Sequence, residues 1–330
     1  MKCWIITEGL AGTENQCLGV AEALGAQPEV KRVQLKQPWR FFSPFLKFEN
    51  AGSFIPPLQG PWPDVLIASG RKSIAAARFV RKSSAGKTFT VQIQDPRICP
   101  ENFDLVAVPE HDPTRGENVI VTAASPNRIT DRKLSEARDR FKQFEKIKVP
   151  RIAVLIGGDS KSHKMPTALT KKLAEQLKGL NTGLMVTTSR RTGEENTAVL
   201  RSVLMDPGFR RDDKGGQDDK ESRNDDVWFW DGSGENPYFG MLAWADYILV
   251  TSDSASMLSD AATTGKPVYM IPLDGGSRRL DKLHENLRTS GIARVFEGKL
   301  EKWTYEPLRD SQKIAEEIRK RLAGHTGRAV

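Results

Sequence analysis

At 330 residues the chain is long for one core, and its 38% hydrophobic and 28% charged side chains are those of a soluble, globular, two-domain protein. A formal net charge of +8 favours acidic partners, whereas no apolar run approaches the roughly 20 residues of a membrane-spanning helix. The basic residues are spread along the chain without a finger, basic-zipper or RNP-type pattern, so no nucleic-acid partner is expected.

The opening "MKCWIITEGL" has one Lys and a short strand-like run, so no signal peptide is expected there. Apolar β-branched runs then alternate with helical patterns. Strands are predicted at 3–7, 30–35, 64–68, 88–93, 104–108 and 118–122, with helices at 13–24 and 72–82 between them. Residues 36–62, "KQPWRFFSPFLKFENAGSFIPPLQGPW", interrupt this rhythm with aromatic, basic and proline residues. Their aromatic rings either cover the sheet or form an exposed patch for a membrane or an acceptor, with Trp39, Phe41 and Phe42 at its centre.

A helix-like stretch at 131–146 and "KVP" at 148–150 separate the halves. Strands resume at 151–156, 183–188, 227–230, 246–250 and 267–271. Residues 206–226 hold 13 charged residues out of 21 and read as a solvated loop with nothing to bury. Strands alternating with helices give parallel sheets buried on both faces. The expected architecture is α/β, with two Rossmann-like domains at 1–147 and 148–330 and a C-terminal helix in the second.

In open parallel sheets, ligands bind beyond the carboxyl ends of the strands. The loops there are polar and glycine-bearing. "TEGLAGTENQ" (7–16) offers Gly12 and Glu14, "SGRKS" (69–73) offers Ser69 and Arg71, "QDPR" offers Asp95, and "PEHDP" offers Glu110, His111 and Asp112. In the second half, "LIGGDSKSHK" supplies Gly157, Gly158, Ser160 and Lys161 in the manner of a phosphate cradle, without the P-loop order. "TTSRRTG" sets Arg190 and Arg191 at a helix start, where guanidinium groups grip phosphate. "TSDSASMLSDAATTGKPVY" places Ser252, Ser254 and Ser256 between a strand and a helix, where they cap the helix or face an anion. Cys3, Cys17 and Cys99 lack paired metal spacing, and four isolated His residues give no His-based metal site. A reducing cytoplasm suits them.

The "GG" turn, the hydroxyl-rich turn, the acid-bearing helix and "TGKPV" together resemble the GT-B architecture of nucleotide-sugar glycosyltransferases and related epimerases. More closely, "ENQCLGVAEALG", "VPEHDP", "LIGGDSKSHK", "TTSRRTG", "GENPYFGMLAWAD" and "TSDSASMLSDAATTGKPVY" resemble the "elongated mitochondria" fission family over roughly residues 3–297. The resemblance implies sheets facing a cleft, with Asp260 receiving ribose hydroxyls in a slot where Glu is usual. It also implies that Ser252, Ser254, Ser256, Gly158 and Ser160 meet a diphosphate. The expected function is metal-independent glycosyl transfer from a nucleotide-diphosphate sugar, a substrate rather than a cofactor, to a lipid or glycan acceptor. The alternatives are an epimerase or hydrolase on the same fold, or a non-catalytic adaptor, since the family's plant member recruits a dynamin-like protein. The general base is expected from the first domain, among His111, Glu14, Asp95, Glu110 and Asp112. His111 is favoured because its unperturbed pKa lies near neutrality, while a plain turn role stands beside it. A cytoplasmic location, peripheral on the inner face of a membrane, follows as an expectation.

Overall fold

The computed structural model describes residues 1–206 and 226–325, so most of the expected charged loop lies outside the described residues. The chain divides into two units, Met1–Arg128 with Leu308–Val330 and Ile129–Pro307.

In the first unit, β1 (Cys3–Thr7) leads through α1 (Ala11–Ala23) to β2 (Pro28–Arg32). The expected strand at 30–35 is interrupted, because the Val33 N–H donates to the Thr7 carbonyl at 2.9 Å and the chain turns there. β3 (Gln34–Leu35) then pairs antiparallel with β4 (Phe54–Ile55), on either side of the one-turn α2 (Trp39–Phe42). β5 (Val65–Ser69), α3 (Ile74–Ser83), β6 (Phe89–Ile93), β7 (Leu105–Pro109) and β8 (Val119–Thr122) complete the six-stranded parallel sheet, in the order β2-β1-β5-β6-β7-β8. Its strands alternate between two cores. Ile5, Ile67 and Val91 pack towards α1, whereas Trp4, Ile6 and Leu66 pack towards Ile74, Ala77 and Val80 of α3. Burial on both faces is why these strands are nearly continuous apolar runs.

The second unit begins with α4 (Asp131–Arg140), followed by β9 (Arg151–Ile156), β10 (His163–Lys164), α5 (Thr167–Gly179), β11 (Gly183–Thr188) and α6 (Gly193–Leu204). After the undescribed segment come β12 (Val227–Phe229), α7 (Tyr238–Trp244), β13 (Tyr247–Thr251), α8 (Ala255–Ala262), β14 (Val268–Ile271), β15 (Asp274–Gly275), α9 (Arg278–Thr289) and β16 (Ala293–Val295). Its main sheet is also parallel and six-stranded, in the order β12-β11-β9-β13-β14-β16, while β10 and β15 form a short antiparallel pair.

The units differ from the expected break at 147/148 at both ends. α4 belongs with the second unit, where the Trp244 indole N–H donates to the Arg138 carbonyl at 3.0 Å and Phe144 meets Trp228 edge-on. The C-terminal helix α10 (Asp310–His325) returns to the first unit. Its Ile314, Ala315 and Ile318 join the core beside α1, and the Asp310 carboxyl accepts the N–H groups of Ala123 and Ala124 at 3.1 and 2.9 Å. The apolar stripe of α10 is thus the missing cover of the first sheet, which needs helices on both faces.

The aromatic stretch is sorted by depth. Phe54 and Leu58 are fully enclosed, and Trp39 and Trp62 are half-buried against the same core. Phe41, Phe42, Phe45 and Phe48 stand in solvent. Trp39, expected as part of an exposed patch, is instead a foot of the loop. Its ring packs on the core and its indole N–H donates to the Lys47 carbonyl at 3.3 Å.

Candidate functional site

In the second unit, β9 ends in Gly157–Gly158, β11 ends in the turn carrying Arg190 and Arg191, and β13 ends in Thr251-Ser252-Asp253-Ser254. Parallel register brings these three strand ends together, since β9 pairs with both β11 and β13. The Thr251 hydroxyl accepts the Gly157 N–H at 2.7 Å, and the Ser189 hydroxyl donates to the Gly157 carbonyl at 2.9 Å. The centre of the arrangement is Asp253. Its buried carboxylate accepts the Gly158 N–H at 3.2 Å and pairs with the half-exposed Arg191 guanidinium at 2.7 Å. The other carboxylate oxygen, Oδ1, has no hydrogen-bond partner among the described residues.

Both glycines are dictated by this packing. A Cβ on Gly157 would lie 2.2 Å from Asp253 Oδ1, and one on Gly158, at φ +148°, would lie 2.2 Å from the Arg191 carbonyl oxygen. Removing both side chains lets the Asp253 carboxylate settle against Gly157 and the Arg191–Thr192 backbone pass close to Gly158. The result is a buried Asp253 carboxylate held in place by a backbone amide and a cation. A groove of about 490 Å³ on the turn after β11 is lined by Ser189, Arg190, Gly193, Glu194, Thr197 and Arg201.

The hydroxyls divide in role. Ser254 caps α8, accepting the Met257 N–H at 3.4 Å, and the Ser252 hydroxyl accepts the Leu273 N–H at 3.1 Å. Ser256 is half-buried as the second residue of α8. Ser160 accepts the backbone N–H groups of Ser162 and His163 at 3.3 and 3.0 Å, which shapes its own loop, and Lys161 is exposed on that loop. Arg190 is also exposed. Asp260 is half-buried on α8 and accepts the Tyr238 hydroxyl at 2.9 Å; desolvation lifts its pKa to about 7, partly opposed by that hydrogen bond. On α9, His284 Nε2 lies 2.9 Å from the Ser252 carbonyl, and burial lowers its pKa. In "TGKPV", the buried Lys266 ammonium donates to the Leu242 and Ala243 carbonyls at 2.6 and 2.7 Å, which closes the end of α7. Asp253 and His284 were not among the residues singled out from the sequence. Asp253 had a legible signal, an acid directly after a buried strand. His284 had none, because 32 residues separate it from Ser252.

In the first unit, the candidates line the carboxyl ends of β1, β5, β6 and β7. Ser69 donates to Gln16 Oε1 at 2.9 Å, and Gln94 donates to the same oxygen at 2.9 Å. Gly12 and Arg71 are exposed at the starts of their helical turns. Glu14 is gripped by Arg32 through two bonds of 2.9 and 2.6 Å, which lowers its pKa and makes it a poor base. Asp95 accepts the Arg97 N–H at 2.8 Å and the Thr114 hydroxyl at 2.6 Å, so it holds a turn. Glu110 is exposed, while His111 is buried with Nε2 3.9 Å from the buried Asp112 carboxyl. Among the described residues, no group of three or more His, Cys, Asp or Glu side chains is placed to hold a metal ion.

The model of the mitochondrial fission ELM1 family matches residues 11–322. The chain belongs to that family. It is 29% identical over 292 residues to the mitochondrial fission protein ELM1 of Arabidopsis thaliana, covering 79% of this chain and 64% of that protein's length. An uncharacterized protein of Rickettsia prowazekii, RP120, is 24% identical and covered almost end to end, with 97% of this chain and 98% of that one aligned. Among solved structures, UDP-GlcNAc 2-epimerase of Methanocaldococcus jannaschii, in complex with UDP-GlcNAc and UDP, matches with a TM-score of 0.53 at 10% identity over 97% of this chain and 100% of that one. Os79 of O. sativa in complex with UDP matches with a TM-score of 0.52 at 10% identity over 99% and 94%. At such identities the likeness shows the fold: two Rossmann-like parallel sheets of the GT-B type.

Proposed function

We propose that the chain is a metal-independent GT-B glycosyltransferase that takes a sugar from a nucleoside diphosphate and passes it to a lipid or glycan hydroxyl. The observation that supports this reading best is the convergence of three strand ends and two arginines in the second unit. There a buried carboxylate rests on the Gly158 amide beneath Arg191, at the carboxyl edge of a parallel sheet. In this reading the remaining guanidinium N–H groups of Arg191 and the α8 N-terminus receive the diphosphate, aided by Arg190, Lys161 and Ser256, while the side-chain-free Gly157–Gly158 turn leaves room for it. Ser160, Ser252 and Ser254 hold the surrounding backbone in shape. The Asp260 carboxyl exchanges its Tyr238 partner for ribose hydroxyls. Charge developing on the departing diphosphate is stabilised by donors fixed in advance, which is the largest lever available to such a reaction.

His111, buried with Nε2 3.9 Å from Asp112, is assigned as the base for the acceptor hydroxyl. Glu14 and Asp95 are already committed to Arg32 and to a turn, and act as supports. Ser69, Gly12 and Arg71 are assigned to the acceptor side. A cytoplasmic location fits the reducing-compartment cysteines, and among the described residues no helix is long and apolar enough to cross a membrane.

Release of nucleoside diphosphate from a panel of UDP-, GDP- and ADP-linked sugars tests the proposal. Turnover should persist in EDTA, and His111→Ala should lower it about 10²–10⁴-fold. Turnover abolished by chelator and restored by manganese would contradict the metal-free mechanism. No turnover with any donor would favour the adaptor role.

A further inference from the structure

The exposed rings of residues 41–48 are held by a scaffold that gives them no apolar cover. Phe41, Phe42, Phe45 and Phe48 are 74%, 54%, 67% and 85% exposed. Aromatic side chains of this size ordinarily supply core area, and several standing together in solvent mark an interaction surface.

The backbone beneath them is tied down. Arg78 of α3 donates to the Pro44 and Leu46 carbonyls at 2.8 and 2.6 Å and pairs with Glu49. The Ser43 hydroxyl donates to the Arg71 carbonyl at 3.1 Å, and Trp39 is anchored as described. The Phe45 N–H donates to the Phe42 carbonyl at 2.8 Å, and Phe41 and Phe42 meet edge to face at 5.0 Å. Outward rings on a fixed loop are pre-organised, which removes an ordering cost from binding.

The charge around the rings specifies the partner. Residues 36–48 contain Lys36, Arg40 and Lys47, all exposed, and no acid. Beside them Phe48 and Lys47 border a groove of about 670 Å³ where Arg78 and Arg81 pair with Glu49 and Asp104 and Lys82 adds an exposed cation, against Glu101 on the same rim. Rings that insert shallowly, fringed by cations, match a negatively charged bilayer surface better than a neutral one.

We propose that this loop docks the protein on an anionic phospholipid membrane, with the four Phe rings entering the headgroup boundary and Lys36, Arg40, Lys47 and Lys82 facing lipid phosphates. The docking is independent of any nucleotide.

Co-sedimentation of the full chain, without nucleotide, with vesicles of phosphatidylcholine alone or of equal phosphatidylcholine and phosphatidylglycerol tests it. Wild type should pellet with the anionic vesicles, less so at high salt, and remain in solution with the neutral ones. Phe41→Ser/Phe42→Ser should weaken anionic partitioning by roughly tenfold or more, because each ring contributes burial on that scale. Arg40→Glu/Lys47→Glu should release the protein while leaving the rings in place. Circular dichroism and thermal unfolding of these surface variants should match wild type, so that a loss of binding is not a loss of fold. Three results would overturn the proposal: wild type in the supernatant with every vesicle, equal binding to neutral and anionic lipid, or ring variants that bind like wild type. Concentration-dependent dimers that vanish in Phe41→Ser/Phe42→Ser, without vesicle binding, would assign the rings to self-association instead.

Discussion

The Asp260 carboxyl ties the stability of the fold to pH. Burial lifts its pKa to about 7 while the Tyr238 hydroxyl steadies the charged form. In the unfolded chain such a group titrates near 3.9. Between about pH 4 and pH 7 the folded protein therefore keeps a proton that the unfolded chain has released, so stability falls as pH rises through that window. Asp260→Asn, which cannot ionise, should gain thermal stability over wild type, and the gain in Tm should be larger at pH 8 than at pH 5. An equal difference at both pH values would mean that the carboxyl is not desolvated. Residues at this site were readable where they ended a strand or opened a helix, as with Gly157, Gly158 and Arg191. The roles of the hydroxyls were not, because Ser252 and Ser254 meet backbone groups whose positions depend on the whole turn. Asp253 hid between serines that already had a capping explanation.

At the scale of elements, the strands were legible because parallel strands buried on both faces must be apolar throughout. The stretch 36–62 was not, since prolines remove any period from which an inner and an outer face could be read. Its sorting into cover and surface is a matter of tertiary packing and can be measured. Phe54→Ala, which empties a fully enclosed site, should cost about 3–5 kcal/mol in denaturant unfolding. Phe41→Ala should change stability by no more than about 0.5 kcal/mol, as a surface substitution does. Comparable losses from both would show that the outer ring also packs against the core.

For the whole molecule, the doubly wound architecture followed from the alternation of strands and helices, but the ownership of its ends did not. A helix at the C-terminus reads as part of the nearest domain, and only the uncovered face of the first sheet explains why α10 goes back to it. Ile318→Ala on that helix should therefore cost about 2–5 kcal/mol of first-unit stability, seen as lost amide-exchange protection in β1, β5 and α1 with the second sheet unaffected. Protection lost in the second sheet instead would contradict that placement. Calorimetric titration of UDP, GDP, ADP and CDP into the full chain measures whether the strand ends around Arg191 receive a nucleoside diphosphate, as proposed. Saturable binding of at least one of them is expected, with thermal stabilisation of about 2.7 kcal/mol at a hundredfold excess over Kd. Binding should be about tenfold weaker in Arg191→Lys, which keeps the charge beside Asp253 but loses the planar fork. No binding of any nucleotide at millimolar concentration, or binding that ignores Arg191→Lys, would contradict the proposal.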